Sequence, residues 1–132
     1  MSKSNFNEDK VIDSQFGADS ISPATAYVAF HTADPGQAGN QSTNEATYTG
    51  YARQPIVAVT GWTLTQGQAA NALDIEVPEA TAGSELLTHF SVGVAVSGAT
   101  NIQYSAALTS NVQIDVGVIV KINAGNLIII EQ

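Results

Sequence analysis

From residue 24 onward, apolar side chains recur at every second position, the spacing of a β-strand buried on one face. The alternation is clearest in residues 90–96 and 102–108, where small or polar residues fill the intervening positions. Turn signals separate such runs at intervals of about ten residues, without an amphipathic helical pattern between them. The sequence therefore predicts an all-β fold, an antiparallel β-sandwich of jelly-roll type, and excludes an α/β fold.

Residues 1–20 do not follow this pattern, and we predict that they form an extended N-terminal arm. The remaining residues, 21–132, have the length of one sandwich domain. A helical pattern over residues 7–14 is present but weak. The arm is polar with isolated apolar residues, and we expect these to contact a neighbouring subunit. They are Phe6, Val11, Ile12 and Phe16.

Charged residues make up only 12% of the chain, and the formal net charge is −8. Such a surface is either uncharged and polar or covered by partners, and the second option fits a subunit of an assembly. The four basic residues are scattered along the sequence, so there is no basic patch for nucleic acid. The N-terminus lacks the apolar run of a signal peptide, and no apolar run is long enough to span a membrane. We expect a protein made in the cytoplasm.

The sequence gives no strong indication of catalysis or of a cofactor. There is no cysteine for a thiolate metal site, and the acid-poor segment 37–45 does not fit a calcium loop. His31 and His89 are expected on the polar side or edge of a strand, as surface or interface hydrogen-bonding groups. Asp74 and Glu76 share one strand and are best interpreted as its solvated side. We predict no enzymatic activity, no metal and no cofactor.

The aromatic residues are more informative. Trp62 follows a glycine at the start of a strand and is predicted to anchor the core or its edge. The polar segment 37–49 is long for a hairpin loop, and we expect it to run along the surface. Tyr48, Tyr51 and Arg53 lie at its end, and tyrosine and arginine are enriched in protein interfaces. Two interpretations stay open: an interface cluster, or packed tyrosines beside a solvated arginine.

The order and spacing of several short motifs resemble a family of small bacteriophage virion proteins, described as tail-fibre or head-decoration proteins. The motifs are residues 27–36, Asn44-Glu45, residues 50–53, Trp62, Asn71-Ala72, Val77-Pro78, residues 88–92, Ser97-Gly98 and the closing apolar strand. The resemblance implies a β-rich structural subunit of the virion that is often trimeric, located on the capsid shell or on fibres.

The leading hypothesis from the sequence is a capsid decoration (cement) protein, a homo-oligomer, most simply a trimer, that binds the major capsid protein and stabilises the shell. The alternative is a tail-fibre or adaptor subunit that contacts tail proteins or a host receptor. A carbohydrate-binding module is a third class, but it needs a platform of exposed aromatics, and the chain has one tryptophan and four tyrosines. The copy number in the virion discriminates the first two.

Overall fold

A computed structural model describes residues 2–17 and 24–130 of the chain. Its elements, in chain order, are β1 (Ser2–Lys3), α1 (Asn5–Phe16), β2 (Ala26–His31), β3 (Gln54–Ile56), β4 (Trp62–Thr65), β5 (Gln68–Asn71), β6 (Ile75–Glu76), β7 (Glu85–Gly93), β8 (Ile102–Ile114), β9 (Lys121–Ile122) and β10 (Ile128–Ile130).

The strands form three antiparallel sheets, so the predicted all-β class is confirmed. The largest sheet has five strands in the order β1-β8-β7-β2-β3. The second has three strands in the order β10-β5-β4, and the third pairs β6 with β9. The jelly-roll arrangement of the sandwich stays a prediction.

Strands β7 and β8 form the longest pairing of the large sheet, and a bulge interrupts it. Leu87 pairs with Val112 and His89 pairs with Ala107, so Thr88 alone faces the four residues 108–111 of β8. Extra residues in one strand bend it and increase its local twist. The two halves of β8 therefore pair with β7 in different registers.

One hydrophobic core connects the three sheets. Central side chains of β2 and β7, such as Val28, Phe30 and Val92, are buried in it together with Ile75 of β6. Leu127, directly before β10, belongs to the same cluster. Trp62 packs against this core while partly buried, which confirms its predicted place at the core edge.

The N-terminal segment is not extended throughout, because most of its described part forms helix α1. Ser4 caps the helix by accepting a hydrogen bond from the backbone N–H of Asn7, at 3.2 Å. The Ser4 hydroxyl donates to the carbonyl of Ile102, and β1 pairs with Tyr104 and Ser105, so the segment is fixed to β8. The predicted boundary between arm and domain, at residues 20 and 21, lies outside the described residues.

Two strand predictions extended too far. The run at residues 90–96 leaves the sheet after Gly93, where a Cβ would overlap the side-chain oxygen of Gln41. Val94 and Val96 consequently lie exposed instead of facing the core. The strand predicted to carry both Asp74 and Glu76 forms a ladder only over Ile75–Glu76. In the segment Asp34-Pro35-Gly36 the glycine has a positive φ of 77°, a conformation that glycine adopts without strain.

Candidate assembly surface and the polar cluster that supports it

The polar segment between β2 and β3 is held against the large sheet instead of running freely over the surface. Gln41 is fully buried, and its Nε2 donates to the carbonyl of Tyr27 at 3.0 Å and to the Ser91 hydroxyl at 3.2 Å. Glu45 forms an isolated bridge to His31. Further along, both backbone N–H groups of Thr47 and Tyr48 donate to Oε1 of Glu85, at 2.7 and 3.0 Å. Side chains of the sheet thus fix this segment at several points.

Arg53 is buried in the middle of this cluster, with 4% of its surface exposed. Its Nε and Nη2 donate to the two carboxylate oxygens of Glu45, at 2.7 and 2.9 Å. The remaining donors reach the carbonyls of Ala95 and Gly98 and the Thr100 hydroxyl, at 3.2, 2.6 and 3.3 Å. The guanidinium therefore ties the loop after β7 to the segment before β3.

The two tyrosines of the predicted interface cluster differ in their hydrogen bonding. The Tyr51 hydroxyl donates to Glu45 at 2.6 Å and accepts from the backbone N–H of Phe30 at 3.2 Å, and burial with the nearby carboxylate raises the pKa of Tyr51. Tyr48 packs edge-on against it, with ring centroids 5.6 Å apart. Within the described residues, the buried Tyr48 hydroxyl has no hydrogen-bond partner, and burial followed by the charge of Glu85 raises the pKa of Tyr48 to about 12.

The tyrosines are packed, as in the second interpretation of this cluster, but the arginine is buried with them. The structure buries Tyr48 and Arg53 inside the subunit, and Tyr51 is partly buried. The arginine is not solvated either, because Glu45 and three backbone or hydroxyl oxygens of the same chain accept its hydrogen bonds. The cluster determines the shape of the surface and does not itself form that surface.

His31 is fully buried, contrary to the expected surface position. Its Nδ1 lies 2.8 Å from the carbonyl of Thr43, which can only accept, so Nδ1 carries the proton. Nε2 then accepts from the Ser91 hydroxyl at 2.7 Å. Burial lowers the pKa of His31 below its ordinary 6.5, which keeps the ring neutral. Alternation within β2 placed this ring on the polar side, but the segment after β2 folds over it.

Most of the polar groups considered for chemistry form hydrogen bonds or ion pairs in the structure. His31 and Ser91 are both inaccessible, so a substrate does not reach this pair. Asp74 accepts from the backbone N–H of Ala124 at 2.8 Å and lies 3.4 Å from the Lys121 ammonium, and both contacts lower the pKa of Asp74. Glu76 is exposed, and His89 is hydrogen-bonded to Thr88. Over residues 2–17 and 24–130, no group of three His, Asp or Glu side chains is placed to hold a metal ion.

Helix α1 presents apolar side chains on its outer surface. Ile12 and Phe16, one turn apart, are 57% and 82% exposed, and Phe6 is partly exposed. Val11 is partly buried, whereas the buried residue of the helix is the polar Asn7. An ordinary surface helix has the opposite arrangement. The predicted contact residues of the arm thus lie where a partner can reach them, and that contact stays a prediction.

A second apolar surface lies on the three-stranded sheet and was not predicted. Its outer strand β10 lies in the closing apolar strand of the sequence. Ile128 and Ile130 share the face of the sheet that points away from the core and are 40% and 51% exposed. Leu64 of β4 is 68% exposed but is aligned with Ala69 and Ile129 on the other face. The sequence signal was a strand of three isoleucines with no charged residue, which is unusual for the edge of a sheet.

The fold and this surface define a class of protein, an all-β structural protein with few charges, exposed apolar patches and buried polar clusters that shape its loops. Residues 2–130 match the family described as Podophage GP4 fiber I protein gp80, and the chain belongs to this family. It is a phage structural protein of the fibre type and a component of the virion, which confirms the predicted resemblance at this level. No match was found among the curated proteins. None of the described helices is both long and apolar enough to cross a membrane.

Proposed function

We propose that the protein is a fibre subunit of a podophage particle, a structural component that binds other virion proteins and carries no catalytic activity. The observation that carries this proposal is the match of residues 2–130 to a fibre family, because it includes nearly all of the chain. The family description favours the fibre alternative over the capsid decoration protein that led the hypotheses from the sequence.

The surface supports a structural role of this kind. Large apolar side chains are exposed on helix α1 and on the three-stranded sheet, for example Phe16, Leu64 and Ile130. Such patches on a protein with few charges are typical of surfaces that partners cover. The proposed partners are further copies of this chain, in a trimer, and the tail proteins to which a fibre is attached.

The net charge of −8 fits an external position without nucleic acid as a partner. A negative surface repels DNA phosphates, because binding to DNA depends on neutralising several of them with Lys or Arg. In the proposed position, the subunit is assembled in the host cytoplasm with the rest of the particle, and a host receptor is a candidate contact at its free end.

The experiment that tests this proposal is the copy number per purified virion, measured by quantitative mass spectrometry against the major capsid protein. We expect a small number of copies, in multiples of the subunits of one fibre, and labelling of the tail by antibodies in electron micrographs. Near-stoichiometric abundance with labelling over the whole head would refute the fibre and establish the capsid decoration protein.

A further inference from the structure

The three-stranded sheet has two outer strands without a further partner strand among the described residues. In the order β10-β5-β4, the outer strands are β10 and β4, and neither forms a ladder with another described strand on its free side. Residues 62–65, 68–71 and 128–130 contain no Asp, Glu, Lys or Arg and no proline. Each edge therefore presents backbone donors and acceptors to a new strand without a charge or proline to prevent pairing.

The large sheet is different at both of its edges. Its outer strand β1 includes Lys3, and its other outer strand, β3, includes Pro55. A lysine or proline on an edge is the usual protection against pairing with another chain. Protection is thus present on one sheet of the subunit and missing on the other, as expected if the second sheet is built to be extended.

The face of the small sheet that points away from the core is also uncharged. The registers align Ile128 with Ala70 and Thr63, and Ile130 with Gln68 and Thr65. Both isoleucines are about half exposed in the single chain, at 40% and 51%. A strand added beside β10 would cover part of these side chains while satisfying the free backbone groups.

We propose that strand β10 of one copy pairs with strand β4 of the next, so that the small sheets of neighbouring subunits form one continuous sheet. This inference rests on the proposed homo-oligomeric subunit and names the surface that joins the copies. A two-fold contact between two β10 strands would leave every β4 edge open. The contact between β10 and β4 is head-to-tail, so it covers both edges, and a three-fold rotation between copies would close it into the proposed trimer.

The distribution of charge favours the same contact. Each copy carries a formal charge of −8, so copies repel one another wherever acidic surfaces approach. Because the paired edges are uncharged, the acidic groups of neighbouring copies stay further apart. Salt screens the repulsion between such groups over about 8 Å at physiological ionic strength. The association of the copies is therefore expected to strengthen as salt is added. An interface made of ion pairs would weaken instead, because salt screens the attraction between opposite charges.

Sedimentation velocity of the full chain tests the contact. The wild-type protein is expected to sediment as a closed oligomer, whereas Ile130→Lys on one edge and the pair Thr63→Lys with Thr65→Lys on the other each give monomers. The control is Val116→Lys, a lysine at an exposed apolar position outside the sheets, which leaves the oligomer unchanged. If one edge variant fails to fold, by circular dichroism, the other carries the test. A monomeric wild type, or edge variants that remain oligomeric, would overturn the contact.

Charge complementation tests which strand of the neighbouring copy pairs with β10. A chain with Ile130→Glu, Thr63→Lys and Thr65→Lys together is expected to recover the oligomer, because opposite charges on neighbouring strands attract. A mixture of Ile130→Glu and Ile130→Lys chains is expected to remain monomeric. Recovery in the mixture but not in the combined variant would show a two-fold β10 contact and overturn the pairing with β4. Since these measurements use purified protein, their failure is distinct from failure to find fibre copies in the virion.

Discussion

Arg53 and Glu45 form a bidentate ion pair, in which Nε and Nη2 of Arg53 lie 2.7 and 2.9 Å from the two carboxylate oxygens of Glu45. Only 2% of the Arg53 side chain and 17% of the Glu45 side chain are exposed. Because the guanidinium also donates to the carbonyls of Ala95 and Gly98, the pair connects two loops that are far apart in sequence. A buried pair of this kind is costly to break, because the remaining charge loses its partner inside the protein.

We therefore predict that Glu45→Gln, which keeps the shape of the side chain, lowers the free energy of unfolding by about 3 kcal/mol. The same change at the exposed Glu79 is the control and is expected to have an effect within about 0.5 kcal/mol. Denaturation by urea measures both. A Glu45→Gln protein as stable as the control would show that the pair does not hold the loops.

Stability is expected to fall in weak acid because of His31. The folded state holds this ring neutral, with its pKa lowered by burial, while the unfolded chain takes up a proton near the ordinary 6.5. Protons therefore favour the unfolded state. The stability that depends on the neutral His31 ring is complete above pH 6.5 and is lost as the pH falls below this value. One proton gives a slope of at most about 1.4 kcal/mol per pH unit.

The measurement is urea denaturation as a function of pH through this window, for the wild type, His31→Asn and His89→Asn. Loss of His31 is expected to remove the slope and to lower stability at neutral pH, since the hydrogen bonds to Thr43 and Ser91 are lost. His89→Asn should retain the slope. An unchanged slope in His31→Asn would assign the acid sensitivity to other groups.

The Tyr48 hydroxyl is predicted to destabilise the fold. It is buried without a partner among the described residues, and desolvation of such a group costs about 1–3 kcal/mol. Tyr48→Phe keeps the ring packed on Tyr51 and is expected to raise the free energy of unfolding by about 1 kcal/mol. The matched change Tyr51→Phe removes the hydrogen bond to Glu45 and should lower it by about 2 kcal/mol. Equal changes in the free energy of unfolding for the two variants would contradict this prediction.

The outer face of helix α1 is predicted to act in assembly and not in folding. Ile12→Asp and Phe16→Asp replace exposed side chains, so the free energy of unfolding should change by less than about 0.5 kcal/mol. Incorporation of the protein into particles, measured by immunoblot of purified virions, is expected to fall. Gln15→Asp adds the same charge at another exposed position of the helix and should be incorporated normally. Normal incorporation of the Phe16 variant would remove the helix from the assembly surface.

The sequence identified the elements whose pattern is local. The alternation of apolar with polar or small residues predicted β2, β7 and β8, because side chains of a strand buried on one face must alternate between core and solvent. It extended β7 to Val96, since alternation does not reveal that Gln41 occupies the space beside Gly93. The helix was indicated only weakly, because its outer face is apolar and its buried residue is Asn7, so the usual helical pattern is missing.

The polar cluster was beyond prediction for a different reason. His31 and Ser91 are 60 residues apart in sequence, and nothing near either of them indicates the other. Alternation assigned His31 to solvent, which would hold if the segment after β2 did not cover it. Interpreting Arg53 as a surface group failed in the same way, since its partner Glu45 becomes buried only when that segment folds onto the sheet.

The long-range pairing of β2 also has a consequence for the order of folding during synthesis. Its partner on one side is β7, with His31 and Ser91 linked across 60 residues, so the large sheet does not form until most of the chain has left the ribosome. Sheets built from distant pairings fold slowly, in milliseconds to seconds. The hairpin of β4 and β5, by contrast, is complete as soon as residue 71 emerges. The nascent chain therefore exposes an uncharged hairpin well before β10 is available to pair with it, and this interval is when premature association between growing chains is most to be expected.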